Sequence, residues 1–381
     1  MKVIISVIGR FHAFDLAKQL QNHNVLNKLI STYPKFLTKK WGIQSENIVG
    51  ELLLELFNRY RSKIPFISDE KISLFVKKLH QLNVSRYIKN NDIFIGWSGT
   101  SLFSIIEAKE KGIVTMLERG SSHYSYQSKV LDEEYKLYGL KQKINYYFWQ
   151  RDLLEYELAD YISIPSSFVK RSFIEYGVPE HKLLVNPYGV DLSQFKQIEK
   201  VDDIFRVIFC GNLSIQKGSH YLLQAIFELG LENFDFWHIG AISEEMKPFM
   251  EKYKSSSIIY KGSYPQAKLY KLYSQGSVFC IPSLQEGMAM VQLQAMACGL
   301  PLICSTNTGG DDLITKDGEE GFVIPIRSVE AIKEKIQYLY NNQILCKQMG
   351  QKAKQRVSSG FTWDDYGDRY MKNLEMIMEN R

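Results

Sequence analysis

The chain has 381 residues, of which 45% are hydrophobic, 23% charged and 13% aromatic, and its net charge is +5. That length exceeds what one hydrophobic core usually supports, so two domains are expected, and the apolar content excludes a disordered or fibrous chain. The small positive charge is compatible with an anionic ligand or an anionic membrane surface and demands neither; no nucleic-acid partner is expected.

Val3–Ile8 is too short for a signal-peptide core and is closed by Arg10, so it reads as a buried first strand. No stretch approaches the roughly 18 uninterrupted apolar residues of a transmembrane helix. Phe11, Phe14, Leu16, Ala17 and Leu20 form a helical face over Phe11–Leu20, and Leu26–Ser31 reads as a second strand. Asp92–Trp97 and Ile113–Leu117 are strands flanking a helix near Leu102–Lys111, and Ile162–Pro165 and Leu183–Asn186 follow. Strands that alternate with helices indicate a parallel, doubly wound sheet. The polar run from Lys196 to Asp203 has the character of a linker.

The pattern then restarts. Phe205–Cys210, Phe234–Ile239, Ser257–Tyr260, Val278–Ile281, Leu302–Cys304 and Gly321–Ile324 read as strands, with helices over Ser219–Leu229 and Met290–Cys298. Gly299 and Pro301 stop the latter helix. Thr362 and Asp365 make a capping-box start to a last helix. Its apolar face, Trp363, Tyr366, Tyr370, Leu374 and Ile377, must dock on something. The cysteines Cys210, Cys280, Cys298, Cys304 and Cys346 show no Cys-x-x-Cys spacing, the pattern of buried reduced thiols in a cytosolic protein.

One segment breaks the rhythm. Between Lys35 and Lys63 lie Lys39, Lys40, Arg59 and Arg61, interleaved with Leu52, Leu53, Leu54, Leu56 and Phe57. Such a basic amphipathic stretch can lie on a membrane surface. Glu46, Glu51 and Glu55 dilute its positive face, which favours a helical excursion that covers the sheet with its charges in water.

Two strand–loop–helix junctions carry the chemistry. After Val278–Ile281, Glu286-Gly287 precedes the helix from Met290. The first amides of a helix lack internal partners and carry partial positive charge, so they form an anion site. Gly287 allows close backbone approach, and Glu286 can accept hydrogen bonds from neutral hydroxyls. A carboxylate beside a phosphate site makes sense when a sugar lies between them. Gln294 can present its amide to the same cleft. After Phe205–Cys210, Gly211 and Asn212 lead to Lys217-Gly218 at a helix start. A lysine at the positive end of a helix is electrostatically awkward unless it meets an anion.

Gly211…Lys217-Gly218, Glu286-Gly287 with a polar residue eight positions on, Ala297-Cys-Gly-Leu-Pro301, Asn186-Pro-Tyr-Gly-Val-Asp191 and Asp317-Gly-Glu-Glu-Gly321 together resemble retaining glycosyltransferases of family 4. The resemblance covers Leu183–Phe361 well and the chain before it less well. It implies the GT-B fold: an α/β architecture of two facing Rossmann-like domains, here 1–196 and 203–361, with the terminal helix of 362–381 crossing back to the first. It implies a nucleotide-sugar donor, with Glu286 at the sugar hydroxyls and Gly287, Met288, Ala289 and Met290 as backbone donors. Lys217 is implied at the diphosphate, and Tyr264 where the base is held. His123, in Leu117-Glu-Arg-Gly-Ser-Ser-His123, resembles the histidine that contacts the donor sugar, although a capping or core role is open to it. Arg119 could reach a phosphate or an acidic acceptor, and Gly9, with Arg10 and His12 beside it, opens the first helix towards the cleft.

The chain departs from the family twice. Gln294 stands where a second glutamate normally holds the ribose, and Asn212 where an arginine often pairs with the lysine. No metal or other cofactor is expected, because Lys217 and helix amides can meet the leaving diphosphate. The expected activity is retaining transfer of a hexose, from UDP-glucose or a similar donor, to a glycan or lipid-linked saccharide in polysaccharide biosynthesis, in the cytoplasm or at the inner face of the membrane. Uridine rests on family frequency alone. The competing reading is a catalytically weakened nucleotide-sugar binder or assembly partner of the same fold.

Overall fold

The computed structural model describes residues 1–61, 67–141 and 146–380. Seven parallel strands, β1 (Val3–Val7), β2 (Leu26–Ser31), β3 (Ile48–Gly50), β4 (Ile93–Trp97), β5 (Val114–Glu118), β6 (Tyr161–Ile164) and β7 (Leu183–Val185), make the first sheet in the order 3-2-1-4-5-6-7. Six more, β8 (Phe205–Cys210), β9 (Phe234–Ile239), β10 (Ile258–Gly262), β11 (Val278–Ile281), β12 (Leu302–Ser305) and β13 (Gly321–Ile324), make a second parallel sheet in the order 10-9-8-11-12-13. All five positions of β1 and all six of β8 are buried, because helices cover both faces of a parallel sheet. Around the first sheet lie α1 (Ala13–Asn22), α2 (Leu52–Tyr60), α3 (Asp69–Ser85), α4 (Leu102–Glu110), α5 (Tyr124–Leu137), α6 (Tyr146–Leu158) and α7 (Ser167–Glu175). α8 (Ser219–Leu229), α9 (Lys247–Lys252), α10 (Leu269–Tyr273), α11 (Met290–Ala297), α12 (Val329–Asn341), α13 (Gln343–Ser358) and α14 (Trp363–Glu379) follow.

α1 begins at Ala13 rather than at Phe11, because Phe11 adopts φ +44°, which no right-handed helix accommodates. The terminal helix has the expected capping box, with Thr362 and Asp365 bonding each other's backbone amides. Its buried face of Tyr366, Tyr370, Leu374 and Ile377 packs on α1, and Asp364 accepts from the side chain of Gln19 at 3.0 Å. The chain therefore returns to the first sheet after completing the second.

A second connection runs between the sheets. Glu134 on α5 is fully buried, yet it meets His220 at 2.8 Å, the Tyr221 hydroxyl at 2.6 Å and Arg327 at 2.6 Å. A buried carboxylate is tolerated only when partnered in this way. On the other side, Ser166 donates to the Gly287 carbonyl at 2.7 Å, and Asp312 accepts from the Ser167 amide at 2.7 Å.

α2 inverts the expected polarity. Its one buried side chain is Glu55, which accepts from the Thr32 hydroxyl at 2.6 Å and pairs with Arg59 at 2.9 Å. Leu52, Leu53, Leu56, Phe57 and Tyr60 face outward instead. Lys63 lies outside the described residues.

His123 is not a cleft residue. It caps α5, its Nδ1 accepting from the Ser125 amide at 3.2 Å. Its ring stacks on Tyr176 at 4.8 Å and abuts Tyr156 and Phe173, each at 5.1 Å. Burial, helped by the Arg119 charge, pushes its pKa down to about 4. A neutral Nδ1 is also what the cap requires. Between about pH 6.5 and 4 the unfolded chain therefore takes up a proton that the folded chain refuses, so stability falls as pH falls through this window. The pH slope of chemical unfolding should be shallower in His123→Phe than in the wild type, by up to about 3 kcal/mol across that window. Equal slopes would remove this account of His123.

Candidate functional site

Each sheet reverses its winding once, between β1 and β4 and between β8 and β11. Loops at the carboxyl ends of such strands diverge and leave a crevice where ligands bind. The four loops here open onto one cleft of about 1400 Å³, lined by Arg10 and His12 after β1, Ser98 and Thr100 after β4, Asn212 and Lys217 after β8, and Glu286 and Met288 after β11.

Lys217 and Glu286, predicted from separate motifs, form a direct ion pair there. Gly218, which follows the lysine, adopts φ +61°, and a Cβ on it would lie 2.1 Å from the Pro282 carbonyl oxygen. The absence of a side chain at Gly218 is thus what lets the β8 loop sit against the β11 loop. α11 starts at Met290 behind an Ala289 N-cap, and no side chain caps it. Its first turn therefore presents amides to the cleft with no side-chain acceptor. Met288, Ala289 and Met290 all line the cleft.

Gly287 has a different role from the one its position suggests. A Cβ there would lie 2.1 Å from the carbonyl oxygen of Gly120, so what the glycine admits is the opposing domain's loop. Gln285 reinforces that contact by donating to the Ser121 hydroxyl at 2.5 Å. Gln294 lines the cleft, but its Oε1 accepts from the Tyr273 hydroxyl at 3.3 Å. That leaves the amide N–H₂ as a donor towards a ligand, where a glutamate at this position would accept. Asn212 lines the cleft with its Nδ2 on the Ser243 hydroxyl at 2.8 Å. Gly211, beside it, adopts φ +146°, a conformation available to glycine.

Gly9, Tyr264 and His123 are not among the residues that line the cleft. The Gly9 N–H donates to Thr32 and its carbonyl accepts from Ser31, at 2.8 and 2.6 Å, so its amide is already engaged. Tyr264 stands exposed outside the lining, whereas Pro265, Gln266 and Ala267 beyond it contribute. His123 is sequestered in its aromatic pocket. Arg119 does line the cleft, with its guanidinium on the Ser122 carbonyl at 2.9 Å and on Gln127 at 3.1 Å.

One arrangement was not foreseen. Glu118, at the carboxyl end of β5, is buried in the cleft wall and receives His12 Nε2 at 3.0 Å and the Tyr370 hydroxyl at 2.6 Å. His12 packs against Tyr188 and Trp97 at 4.5 and 5.0 Å. The terminal helix thus anchors in the floor of the cleft. A charged residue ending an otherwise apolar strand was the one sequence signal for this. Asp311 and Asp312 are held by α7, Arg171 pairing with the former at 2.7 Å.

Residues 191–356 match the family described as glycosyl transferases group 1. An uncharacterized glycosyltransferase of Methanocaldococcus jannaschii, MJ1069, is 24% identical over 292 residues, 73% of this chain and 71% of its own. The capsular polysaccharide biosynthesis glycosyltransferase CapM of Staphylococcus aureus is 26% identical over 239 residues, covering 56% of this chain and 61% of its own. Among solved structures, sucrose-phosphate synthase of Thermosynechococcus elongatus superposes with a TM-score of 0.77 over 100% of both chains at 15% identity. HepE of Anabaena, in complex with UDP and glucose, superposes with a TM-score of 0.71 over 98% of this chain and 99% of that one at 14% identity. Those identities speak for the fold. With the sequence matches beside them, the protein is a glycosyltransferase of GT-B fold that carries a group 1 glycosyl transferase domain over residues 191–356.

Proposed function

We propose that the protein moves a hexose from a uridine diphosphate sugar, glucose or a close relative, to a hydroxyl of a glycan or lipid-linked saccharide, with retention of anomeric configuration. The observation that carries this reading is the Lys217–Glu286 pair beside the uncapped start of α11. A diphosphate entering the cleft displaces Glu286 from Lys217 and takes the ammonium and the first amides of α11 for itself. The released carboxylate then accepts from the donor's sugar hydroxyls. The N–H₂ of Gln294 donates to a ribose oxygen, a role that needs no charge.

In the transfer step the bond between the sugar's anomeric carbon and the diphosphate oxygen breaks, and negative charge grows on the leaving phosphate. Lys217 and the amides of α11 stand ready to stabilise it. The acceptor hydroxyl bonds to the anomeric carbon on the same face, and its proton passes to the departing phosphate oxygen. These groups supply the positive charge the reaction requires, so no metal ion is part of this reading. HepE, whose structure holds UDP and glucose, supports the choice of donor, and CapM, named for capsular polysaccharide biosynthesis, supports the process.

A donor panel read by nucleotide release, with and without a chelator, tests the activity, and product NMR tests retention. Lys217→Ala should weaken UDP binding and turnover together, each by roughly ten- to a hundred-fold. Glu286→Gln should separate them: turnover falls by a similar factor, while UDP binds as tightly as in the wild type or more tightly, because Lys217 has lost its competitor. A parallel loss of UDP binding in Glu286→Gln would contradict the proposed exchange of partners.

The outward apolar face of α2 supports peripheral contact with a membrane, and the basic residues of the Lys35–Lys63 segment support an anionic one. Among the described residues no helix is long and apolar enough to cross one. The protein should co-sediment with vesicles containing phosphatidylglycerol, and Leu53→Glu with Phe57→Glu should abolish this while sparing UDP binding. Sedimentation that ignores both lipid charge and these substitutions would count against membrane contact.

A further inference from the structure

The wall of the cleft opposite α11 belongs to the first domain and carries Arg10, Lys40, Arg61, Lys77 and Arg119. Three of these charges are already engaged. Arg61 has Asp69 at 3.9 Å and the Asn58 side chain at 3.2 Å. Arg119 spends its guanidinium on Ser122 and Gln127. Lys77 is coupled to Asp152, which also feels Arg119.

Arg10 and Lys40 are different. The Arg10 guanidinium carbon lies 5.4 Å and the Lys40 ammonium 4.4 Å from the centroid of one ring, Trp41. That ring is fixed by Phe14 at 5.0 Å and by Tyr33 at 6.0 Å. Among the described residues neither cation has an ion-pair partner; Asp15, the acid coupled to Arg10, makes no ion pair with it. The ring attracts both cations, and Asp15 in the same wall, coupled to Arg10 without pairing with it, offsets their charge only in part.

The loop that delivers Arg10 is also strained. Phe11 sits at φ +44° with 65% of its surface exposed at the cleft, a conformation that a bulky residue keeps only under constraint. The Gly9 amide, tied to Thr32, supplies part of that constraint. The result is a fixed patch in which two like charges and an exposed aromatic ring face the space between the domains.

We propose that this patch is the acceptor's anion subsite. The acceptor is a saccharide bearing a carboxylate or a phosphate, its negative group drawn to Arg10 and Lys40 and the apolar face of its sugar ring against Phe11. This assignment rests on the glycosyl-transfer reading above and adds the charge class of the acceptor. A planar guanidinium and a point ammonium on one aromatic ring serve either oxyanion, so the experiment separates the two sources.

Binding of methyl glucuronide, glucose 6-phosphate and neutral methyl glucoside to the full chain is measured by ligand-observed NMR, with UDP titrated separately. At least one anionic sugar should bind at least ten-fold more tightly than the glucoside, and that preference should shrink as salt rises. Whichever of the two binds identifies the source of the charge. Arg10→Ala with Lys40→Ala should erase the preference, and Arg10→Lys should restore part of it, while UDP binding stays within two-fold throughout. Equal binding of all three sugars, no binding by either anionic sugar, or a preference that survives the double substitution would overturn the assignment. Loss of UDP binding in the unaltered chain would instead strike the donor reading on which it rests.

Discussion

The ion pair between Lys217 and Glu286 joins the loops that leave β8 and β11, the two strands between which the second sheet changes winding direction. Each charge alone would be poorly placed, one at the positive end of a helix and the other partly buried in a cleft. Together they hold the site in a state that an anion can enter by exchange. The close approach that makes this possible is set by Gly218, where the chain has no room for a side chain.

The contacts around the pair tie the opposite wall of the cleft to it. Glu134 binds α5 to α8 and to Arg327, and Gly287 lies against Gly120. α14 carries Tyr370 back to Glu118 in the floor of the cleft. These contacts are polar and interlocking, and such interfaces between domains commonly permit relative motion. The cleft is therefore bounded by two rigid sheets and several exchangeable hydrogen bonds, a suitable arrangement for a donor that must enter and a product that must leave.

Much of this architecture could be read from the residues. Continuous apolar runs marked most strands, because a strand buried on both faces has no polar alternation to hide it. Lys217 stood out because a lysine at the positive end of a helix calls for an anion, and Glu286 stood out only beside it. What escaped depended on partners distant in the chain. β3 has only three residues and owes its place to pairing with β2. The orientation of α2 turns on a hydrogen bond from Thr32 to Glu55. His123 packs against Phe173 on a later helix and Tyr176 at its end, and the Gln294 carbonyl oxygen meets the Tyr273 hydroxyl. No local pattern encodes such choices; they follow from which neighbours the topology supplies.

The two walls also divide the electrostatic work. The second domain offers one paired lysine and a helix start, whereas the first carries five cations, two of which, Arg10 and Lys40, make no ion pair among the described residues. The central claim is that the donor separates Lys217 from Glu286 and takes each for a different part of itself. A crystal structure of the chain with a non-hydrolysable UDP-hexose tests it most directly. The account predicts diphosphate oxygens within hydrogen-bonding distance of Lys217 Nζ and the first amides of α11, with Glu286 moved onto the sugar hydroxyls. A bound nucleotide sugar that leaves the Lys217–Glu286 pair intact would contradict it.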